Sequence, residues 1–367
     1  MALFGKAKKG GTLGVDIGAN SIKLVELGSE RGRAKLLTYG YGELPFGNQG
    51  GLLMDNPKAA GELLAEICKA SGCQSTITMA ALPTSNVFTT ILSLPATKDP
   101  KQVKSLIDAE VEKMSPLPIS EMITYSTFLD GEGKKAEKSQ KAERAEKADK
   151  YVRVLVTGAA KTLVQKYIEI FRTAKLQLQA LDTESFALIR SLIGKDRSAI
   201  MLIDMGAKRT NITVVEKGIP FVTRSVNIGG DTLTSRIQSS LHLPADKAEQ
   251  MKRDFSDAAA EPSDLPGGLS PVLEPVIQPL VNEIKYSFEL YASMELTQIK
   301  KVEKIILTGG SAHLPRVPEY LSETLNLNVY RGNPWARVVY PQDLSIVLEE
   351  IGPRMSVAIG LAMRDME

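Results

Sequence analysis

Near its start the chain reads Gly14-Val15-Asp16-Ile17-Gly18-Ala19-Asn20-Ser21-Ile22-Lys23-Leu24-Val25-Glu26. Two apolar segments on either side of a short polar turn predict a β-hairpin. Gly18 permits a tight turn and lets backbone N–H groups approach an anion closely. Asp16 ends the first strand, where its carboxylate can hold a metal ion or its water beside that anion. The pattern therefore predicts a phosphate-binding hairpin.

The same device recurs deep in the chain, as Leu202-Ile203-Asp204-Met205-Gly206-Ala207-Lys208-Arg209-Thr210-Asn211-Ile212-Thr213-Val214-Val215-Glu216. Asp204 follows Asp16 by 188 positions, and each aspartate stands in an Asp-x-Gly-Ala motif. Each copy opens a predicted three-stranded meander, which is followed by alternating helices and strands. Repetition on this scale indicates a duplicated α/β domain with the functional cleft between the copies. Two such hairpins facing each other would hold a nucleotide phosphate tail from both sides.

A third glycine turn, Gly309-Gly310, follows the predicted strand Lys304–Thr308 and precedes a predicted helix. At such a position the backbone can approach a nucleoside closely. Taken alone, a glycine after a strand is usually only a turn. The three turns become specific as a set, because they follow one another in order with a strand before each.

Composition limits the classes of protein to which the chain can belong. Its 367 residues suggest two or three domains, and 43% hydrophobic with 24% charged residues are ordinary for a soluble globular protein. A net charge of +2 gives no reason to expect a nucleic-acid partner, and 5% aromatic residues disfavour recognition by base stacking. No apolar run reaches the roughly 18–20 residues of a membrane span. Cys68 and Cys73 have no histidine or third cysteine nearby, so we expect reduced thiols and no zinc site.

Two segments are predicted to carry no chemistry of their own. Residues 1–11 form a basic tail with three lysines and a Leu3-Phe4 pair, which is either disordered or in weak contact with an anionic membrane surface. Residues 131–150 are nearly all lysine, glutamate, alanine and arginine. Because this block has little apolar surface to bury, we predict a solvated extension of a hairpin between strands at 123–129 and 151–158.

The order Asp16-x-Gly18, Asp204-x-Gly206, Gly309-Gly310 resembles the phosphate-1, phosphate-2 and adenosine motifs of the superfamily of actin, the heat-shock ATPases and the sugar kinases. Within that superfamily the chain is similar to the FtsA branch, and most of all to the PilM family of type IV pilus assembly proteins. The resemblance covers essentially the whole chain except 131–150. Further stretches that carry it are Ala81-Leu82-Pro83, Pro116-Leu117-Pro118, Asp182-Thr183-Glu184-Ser185, Gly229-Gly230-Asp231 and Ser287-Phe288-Glu289-Leu290-Tyr291.

The resemblance implies an α/β fold with duplicated actin-like (ribonuclease H-like) ATPase domains and a small inserted α+β subdomain of the 1C type. The implied boundaries are a tail at 1–11, a first actin-like domain (subdomain 1A) at 12–82 and 161–198, the insert at 83–160 with its charged loop, a second actin-like domain (2A/2B) at 199–354, and a C-terminal helix at 355–367 that returns to the first domain.

The resemblance also implies ATP and Mg²⁺ as cofactors. Asp16 and Asp204 would flank the metal through its waters, and Glu184 stands where the superfamily positions the attacking water. The other implied nucleotide contacts are Gly18, Ala19, Asn20, Ser21, Lys23, Gly206, Ala207, Gly229, Gly230, Asp231, Glu283, Lys285, Gly309, Gly310 and Ser311.

Structural roles compete with several of these assignments. Lys23 is equally explained as a surface lysine of the hairpin, and Glu184 as a carboxylate stabilised by a helix N-terminus. Glu283 and Lys285 also fit the solvent face of a long helix. Ala19-Asn20 replaces the usual Ser-Ser pair. Because no arginine or lysine is evidently committed to the transferring phosphoryl group, we expect slow hydrolysis or none, with the nucleotide acting as a structural ligand.

Family resemblance further implies a partner. In PilM-like proteins the groove between the insert and the first subdomain takes the cytoplasmic N-terminal segment of a PilN membrane protein, and Leu106, Leu117 and Ile119 would line it here. We therefore expect a cytoplasmic scaffold, peripheral at the inner membrane, that meets other pilus platform and motor components and possibly itself. Two alternative functions are an FtsA-like division anchor and a small-molecule kinase of the same fold. The anchor would need an amphipathic membrane helix after the small-residue helix Met355–Met363. The kinase would need a catalytic aspartate in a polar cleft.

Overall fold

The structure, a computed structural model, describes residues 11–44, 53–97, 99–115, 117–129, 151–257 and 268–366. The charged stretch 131–150 and residues 1–10 of the predicted tail lie outside the described residues. The chain divides into two compact units. The main unit consists of Met1–Ser85 with Ile168–Glu367, and the insert unit of Asn86–Tyr167. The insert unit overlaps the range 83–160, while the assignment of subdomains stays a prediction.

The elements follow one another in an alternating α/β order. The strands are β1 (Thr12–Ile17), β2 (Ser21–Glu30), β3 (Arg33–Glu43), β4 (Ile77–Leu82), β5 (Val87–Pro95), β6 (Met122–Phe128), β7 (Tyr151–Ala160), β8 (Gln177–Thr183), β9 (Ala199–Met205), β10 (Thr210–Glu216), β11 (Ile219–Val226), β12 (Lys304–Thr308), β13 (Asn328–Arg331) and β14 (Val338–Val339). The helices are α1 (Pro57–Ser71), α2 (Pro100–Met114), α3 (Lys161–Thr173), α4 (Glu184–Leu188), α5 (Gly230–Leu241), α6 (Ala245–Asp257), α7 (Glu274–Ser293), α8 (Val317–Leu325) and α9 (Ser345–Ala362).

The first sheet of the main unit has the strand order β14-β3-β2-β1-β4-β8. Strands β1, β2 and β3 form the antiparallel meander predicted from the first hairpin, with Asp16 opposite Lys23. Strands β4 and β8 then add in parallel on the other side of β1. Five of the six residues of β1 are buried, which suits an apolar strand in the middle of a covered sheet.

The second sheet of the main unit has the order β11-β10-β9-β12-β13. Strands β9, β10 and β11 form an antiparallel meander in which Asp204 lies opposite Asn211. Strand β12 lies parallel to β9, and β13 parallel to β12. This is the order β3-β2-β1-β4-β8 of the first sheet, repeated strand by strand. The duplicated α/β architecture predicted from the two Asp-x-Gly-Ala motifs is confirmed.

Helix α9 closes the core of the first sheet. Two glycines allow its close approach: a Cβ on Gly14 would lie 2.1 Å from the carbonyl oxygen of Ala358, and one on Gly360 would lie 1.8 Å from that of Ala187. Helix α9 can therefore lie directly against β1 and α4. The core that it completes includes Val25, Leu27, Leu36, Trp335, Val338, Leu348, Met355 and Ile359.

The insert unit is a three-stranded antiparallel sheet, ordered β5-β7-β6, with α2 packed on one face. Helix α2 begins at Pro100 after the N-cap Asp99, whose carboxylate accepts a hydrogen bond from the Lys101 N–H at 2.9 Å. Its buried face presents Val103, Ile107 and Val111 to the sheet, at the spacing expected of one helical face.

The C-terminal helix is longer than the sequence pattern predicts. The small-residue pattern predicts a helix that begins at Met355, but α9 begins at Ser345 and contains Pro353. The Pro353 carbonyl accepts hydrogen bonds from Thr308 Oγ1 and from the Gly309 N–H, each at 2.9 Å. Tertiary bonds at the proline thus hold a conformation that a local helix signal alone disfavours.

Candidate functional site

The two hairpins make the same turn. The Gly18 N–H donates to the Ser21 carbonyl at 2.9 Å, and the Gly206 N–H donates to the Arg209 carbonyl at 2.9 Å. Ala19 and Ala207 follow the glycine in each turn. Asp16 and Asp204 precede these turns by two residues, at the carboxyl ends of β1 and β9. The predicted phosphate-1 and phosphate-2 motifs are therefore structurally equivalent.

The first hairpin contacts the start of α5. The Asn20 amide donates to Asp231 Oδ2 at 3.2 Å, across 211 positions of sequence. Asp231 itself lies against the second hairpin, because its N–H donates to the Ala207 carbonyl at 2.8 Å. A Cβ on Gly229 would lie 2.3 Å from that same carbonyl, so glycine is needed for this approach. Asn20 of the first hairpin and Ala207 of the second therefore both contact Asp231, at the start of α5.

The third turn joins the same place. Gly309 has a φ of +85°, and a Cβ there would lie 2.4 Å from Asp204 Oδ1. Ser311 Oγ donates to the Gly206 carbonyl at 3.4 Å. Gly310, which follows, has open space around its Cα. The three glycine turns that the sequence singled out therefore converge in the main unit.

Glu184 opens α4 directly beside the hairpins. Thr183 caps this helix by accepting the Phe186 N–H at 3.3 Å, which fixes the helix start. Glu184 Oε2 accepts two hydrogen bonds, from the Thr84 N–H at 2.7 Å and from the Asn211 amide at 3.0 Å. Oε2 is thus anchored by the turn after β4 and by β10.

Electrostatics link this carboxylate to the two aspartates. Burial, and then the charges of Asp16 and Asp204, raise the pKa of Glu184 to about 7. Burial, and then the charge of Asp16, raise the pKa of Asp204 to about 6. Lys23 Nζ lies 3.1 Å from Asp16 Oδ2. Burial alone would lower the pKa of Lys23, but the charges of Asp16, Asp204 and Glu184 outweigh it, so that the pKa is raised.

Three carboxylates around one ammonium group leave an excess of negative charge when all are ionised. Hard carboxylate oxygens with such an excess suit Mg²⁺ and the waters that it retains. Among the residues that the structure describes, no group of three or more His, Cys, Asp or Glu side chains is placed to hold a metal directly. The donor chemistry of Asp16 and Asp204 is compatible with Mg²⁺, and the metal role that the family resemblance implies for them stays a prediction.

Glu283 and Lys285 lie on α7. Glu283 Oε2 accepts a hydrogen bond from Arg224 Nη2 of β11 at 2.8 Å, and Lys285 is exposed. The Arg224 guanidinium also lies over the ring of Tyr286, 4.7 Å from its centre. The nucleotide roles of Glu283 and Lys285 stay predictions.

Sequence reasoning missed three residues at this site. Asn211 anchors Glu184, as described above. Lys252 Nζ donates to Glu249 Oε2 at 2.6 Å and lies 3.5 Å from the Gly230 carbonyl. Helix α6 therefore also contacts the turn at Gly229-Gly230. The signal was available as Glu249-x-x-Lys252, an i, i+3 pair of opposite charge on a predicted helix.

The residues predicted to meet a partner all lie in the insert unit. Leu106 and Ile119 are half-buried and pack against the core of that unit, whereas Leu117 is 37% exposed. Leu106 thus contributes to the core of the insert unit, and the partner role of all three residues stays a prediction. In the described part of the chain, no helix combines the length and apolar character needed to cross a bilayer.

The two meanders, the repeated strand order and the converging glycine turns define an actin-like protein. Residues 14–366 match the family described as Type IV pilus assembly protein PilM. The chain belongs to this family.

Solved structures agree with this classification. The PilM-PilN type IV pilus biogenesis complex is 26% identical, with a TM-score of 0.78 over 97% of this chain and 98% of that one. The ethanolamine utilization protein EutJ from Carboxydothermus hydrogenoformans is 17% identical, with a TM-score of 0.55 over 98% and 91% of the two chains. MreB5 of Spiroplasma citri, solved with ADP, is 11% identical, with a TM-score of 0.53 over 96% and 95%. The last two share the fold alone.

Sequence relatives include division proteins. FtsA of Borreliella burgdorferi is 24% identical over 229 residues, 57% of this chain and 53% of that protein. FtsA of Enterococcus hirae is 27% identical over 238 residues, 56% of this chain and 52% of that protein. The chain thus spans about half the length of these relatives. These matches confirm the resemblance to the FtsA branch.

Proposed function

We propose that the chain is a cytoplasmic ATP-binding scaffold of the type IV pilus inner-membrane platform, which docks the cytoplasmic N-terminal segment of a PilN-like membrane protein. Membership of the PilM family supports the setting, and the matching PilM-PilN complex supports the partner. The observation that carries the nucleotide claim is the convergence of the turns at Gly18, Gly206 and Gly309 around Asp16 and Asp204.

In this proposal the phosphates lie between the two hairpin turns, next to the backbone of Gly18-Ala19 and Gly206-Ala207. The Lys23 ammonium group turns from Asp16 toward the phosphates, because the phosphate oxygens compete with Asp16 for its hydrogen bonds. The nucleoside lies against Gly309-Gly310, where glycine leaves the backbone open. Lys252 and Glu249 border that place through their contact with Gly230.

Asp16 and Asp204 would hold Mg²⁺ through its waters. The metal would neutralise phosphate charge and polarise the terminal phosphoryl group. A cation there also relieves the crowding that raises the pKa of Asp204 to about 6. The mutual repulsion of these carboxylates therefore favours binding of a cation electrostatically.

Hydrolysis in this proposal depends on Glu184 and is slow. A carboxylate with a pKa of about 7 can accept a proton from a water at neutral pH. Its Oε2 is held by Thr84 and Asn211, so Oε1 is the oxygen that would face a water. Placing the attacking water accelerates hydrolysis less than stabilising the charge of the transferring phosphoryl group does. In this proposal Lys23 alone provides that stabilisation beside the metal, so we expect a slow reaction. The nucleotide then serves chiefly to stabilise one closed form of the main unit.

A thermal-shift titration tests the nucleotide site. We expect millimolar ATP with Mg²⁺ to raise the melting temperature of the wild-type chain by several degrees, because a ligand that binds only the folded state stabilises it by mass action. Asp204→Asn keeps the side-chain shape and should lose the part of the shift that depends on Mg²⁺. Asp196→Asn removes an aspartate that pairs with Lys304 and should keep the full shift. A wild-type chain that shows no shift with ATP and Mg²⁺ would refute the ATP site.

A further inference from the structure

The carboxylate of Glu43 joins parts of the main unit that are far apart in sequence. Glu43 is the last residue of β3. Its Oε2 accepts a hydrogen bond from Arg253 Nη2 of α6 at 3.1 Å, and its Oε1 accepts one from Arg354 Nη1 of α9 at 3.0 Å. The Arg354 guanidinium also lies 5.7 Å from the centre of the Tyr41 ring. One side chain of the first sheet therefore holds two helices through both of its oxygens.

A network of charged side chains connects Arg253 to the turn at Gly229-Gly230. Arg253 Nε donates to Glu249 Oε1 at 3.1 Å. Glu249 Oε2 accepts from Lys252 Nζ at 2.6 Å, and Lys252 Nζ lies 3.5 Å from the Gly230 carbonyl. The network thus leads from the end of β3 to the start of α5. Because its members share partners, breaking one bond disturbs the others.

From Arg354 a second branch leads to the third turn. Pro353 precedes Arg354 in α9, and its carbonyl accepts the Gly309 N–H at 2.9 Å. Both branches begin at Glu43, on the first sheet, and both end at a glycine turn that the nucleotide would contact. The contact made by Glu43 and the proposed nucleotide site therefore share structural elements.

We propose that the ion pair between Glu43 and Arg253 forms a latch between the two halves of the main unit, and that its opening limits how fast a bound nucleotide is released. One half is the first sheet with α9, and the other is the second sheet with α5 and α6. Arg354 of α9 belongs to the same half as Glu43 and holds the Glu43 carboxylate in place for Arg253. The inference rests on the proposed nucleotide site. A ligand held between turns on both halves leaves when the halves separate, and separation breaks the bond between Glu43 and Arg253. The side chains of Glu43, Arg253 and Arg354 are 33%, 56% and 28% exposed, so water replaces part of what is lost. We therefore expect an effect on release of about two- to five-fold.

Stopped-flow release of a fluorescent ATP analogue tests the latch. The full-length chain is loaded with the analogue and Mg²⁺ and chased with excess ATP. Glu43→Gln and Arg253→Gln should each release the analogue about two- to five-fold faster than the wild type. The double variant should release it no faster than Glu43→Gln alone, because both changes break the bond between Glu43 and Arg253.

A matched control separates the latch from a general effect of surface charge. Glu30→Gln breaks the exposed pair between Glu30 and Lys35 at the far end of the same meander, and its release rate should equal that of the wild type. Raising the salt concentration should speed release from the wild type more than from Glu43→Gln, because salt screens a charge pair that the variant lacks. Equal melting temperatures show that the variants are folded.

Each result leads to one conclusion. Equal release rates for the wild type, Glu43→Gln and Arg253→Gln, with the analogue still bound, overturn the latch and leave the nucleotide site intact. Equal acceleration by Glu30→Gln also overturns it. A wild-type chain that binds no analogue overturns both the latch and the proposed function. Faster release confined to the latch variants, with non-additivity, supports it.

Discussion

Glu184 is the residue whose ionisation the fold opposes most clearly. Burial and the neighbouring charges of Asp16 and Asp204 raise its pKa to about 7, and Asp204 follows with a pKa of about 6. Both values exceed those of the unfolded chain, so the native state binds more protons than the unfolded state between about pH 4 and pH 7. The free energy of unfolding therefore falls as the pH rises through that interval. A site with this property is built to receive positive charge.

Glu184→Gln isolates this effect. Glutamine keeps the acceptor for Thr84 and Asn211 but carries no charge, so the nucleotide-free variant should be more stable at pH 8 by on the order of 1–3 kcal/mol. At pH 5, where Glu184 is protonated in the folded chain, the gain should largely vanish. Urea unfolding at both pH values measures the difference, with the exposed Glu30→Gln as control. A gain of equal size at pH 5 and pH 8 contradicts the assignment.

Among the elements, the second strand of each meander carries an equivalent buried glutamate. Glu26 accepts the N–H groups of Gln74 and Ser75 at 2.9 and 3.0 Å. Glu216 accepts those of Gln298 and Ile299, at 3.2 and 3.3 Å to its Oε2. In both copies the carboxylate holds the segment that leads from a helix into the next parallel strand. The duplication therefore extends from strand order to individual hydrogen bonds.

Glu26→Ala should cost the fold roughly 1–3 kcal/mol, because it leaves the N–H of buried Ser75 without its acceptor, while water can replace the acceptor at exposed Gln74. Glu26→Gln, which retains an acceptor oxygen, should cost clearly less. Urea denaturation with tryptophan fluorescence of the buried Trp335 reports the loss, since Trp335 belongs to the same core as Val25 and Leu27. Alanine and glutamine variants of equal stability would contradict this role.

Local sequence patterns predicted the elements better than their partners. The alternation in the two Asp-x-Gly-Ala stretches and the glycine turns predicted the meanders, because both signals lie within a few residues. The short strands β13 and β14 were missed, since each depends on pairing with a strand distant in sequence. The start of α9 was predicted ten residues too late, at Met355, because a proline usually interrupts a helix, whereas the Pro353 carbonyl is held here by Thr308 and Gly309, about 45 residues earlier.

The same distinction applies to the site. The sequence predicted the strand ends and turns at which the proposed nucleotide contacts lie, because both are local features. These contacts are Asp16, Gly18, Asp204, Gly206 and Gly309. Asn211 and Lys252 were missed because their roles follow from contacts with Glu184 and Gly230, which no local pattern contains. Motifs bound to one element can be predicted, while contacts assembled from several elements require the fold.

At the scale of the whole molecule, the proposed function assigns different ligands to the two units. The main unit carries the glycine turns, and the insert unit carries Leu106, Leu117 and Ile119. Leu117 has the largest apolar surface open to a partner among these three, since the other two pack against the core of the insert unit. A test of partner docking is therefore sharpest at Leu117.

A peptide with the sequence of the cytoplasmic N-terminal segment of the cognate PilN-like protein should bind the chain with micromolar affinity, measured by fluorescence polarisation. Leu117→Asp should weaken binding about ten-fold or more, because an apolar contact of this size contributes roughly 1.5–3 kcal/mol. Ile346→Asp changes an apolar residue that is 80% exposed on the main unit and should bind like the wild type. Equal binding by both variants would place the peptide elsewhere.

Helix α9 and strand β14 have a consequence for how the chain is made. The meander of β1, β2 and β3 leaves the ribosome early, yet the side chains that cover Val25, Leu27 and Leu36 belong to residues from Trp335 onward. At a synthesis rate of about 5–20 residues per second, the nascent hairpin waits roughly 15–60 s for its cover. During that time its apolar face is open to chaperones, proteases and other nascent chains. A truncated chain that ends before Trp335 keeps this apolar face exposed permanently. The exposed sheet is then the feature by which chaperones and proteases recognise the truncated chain.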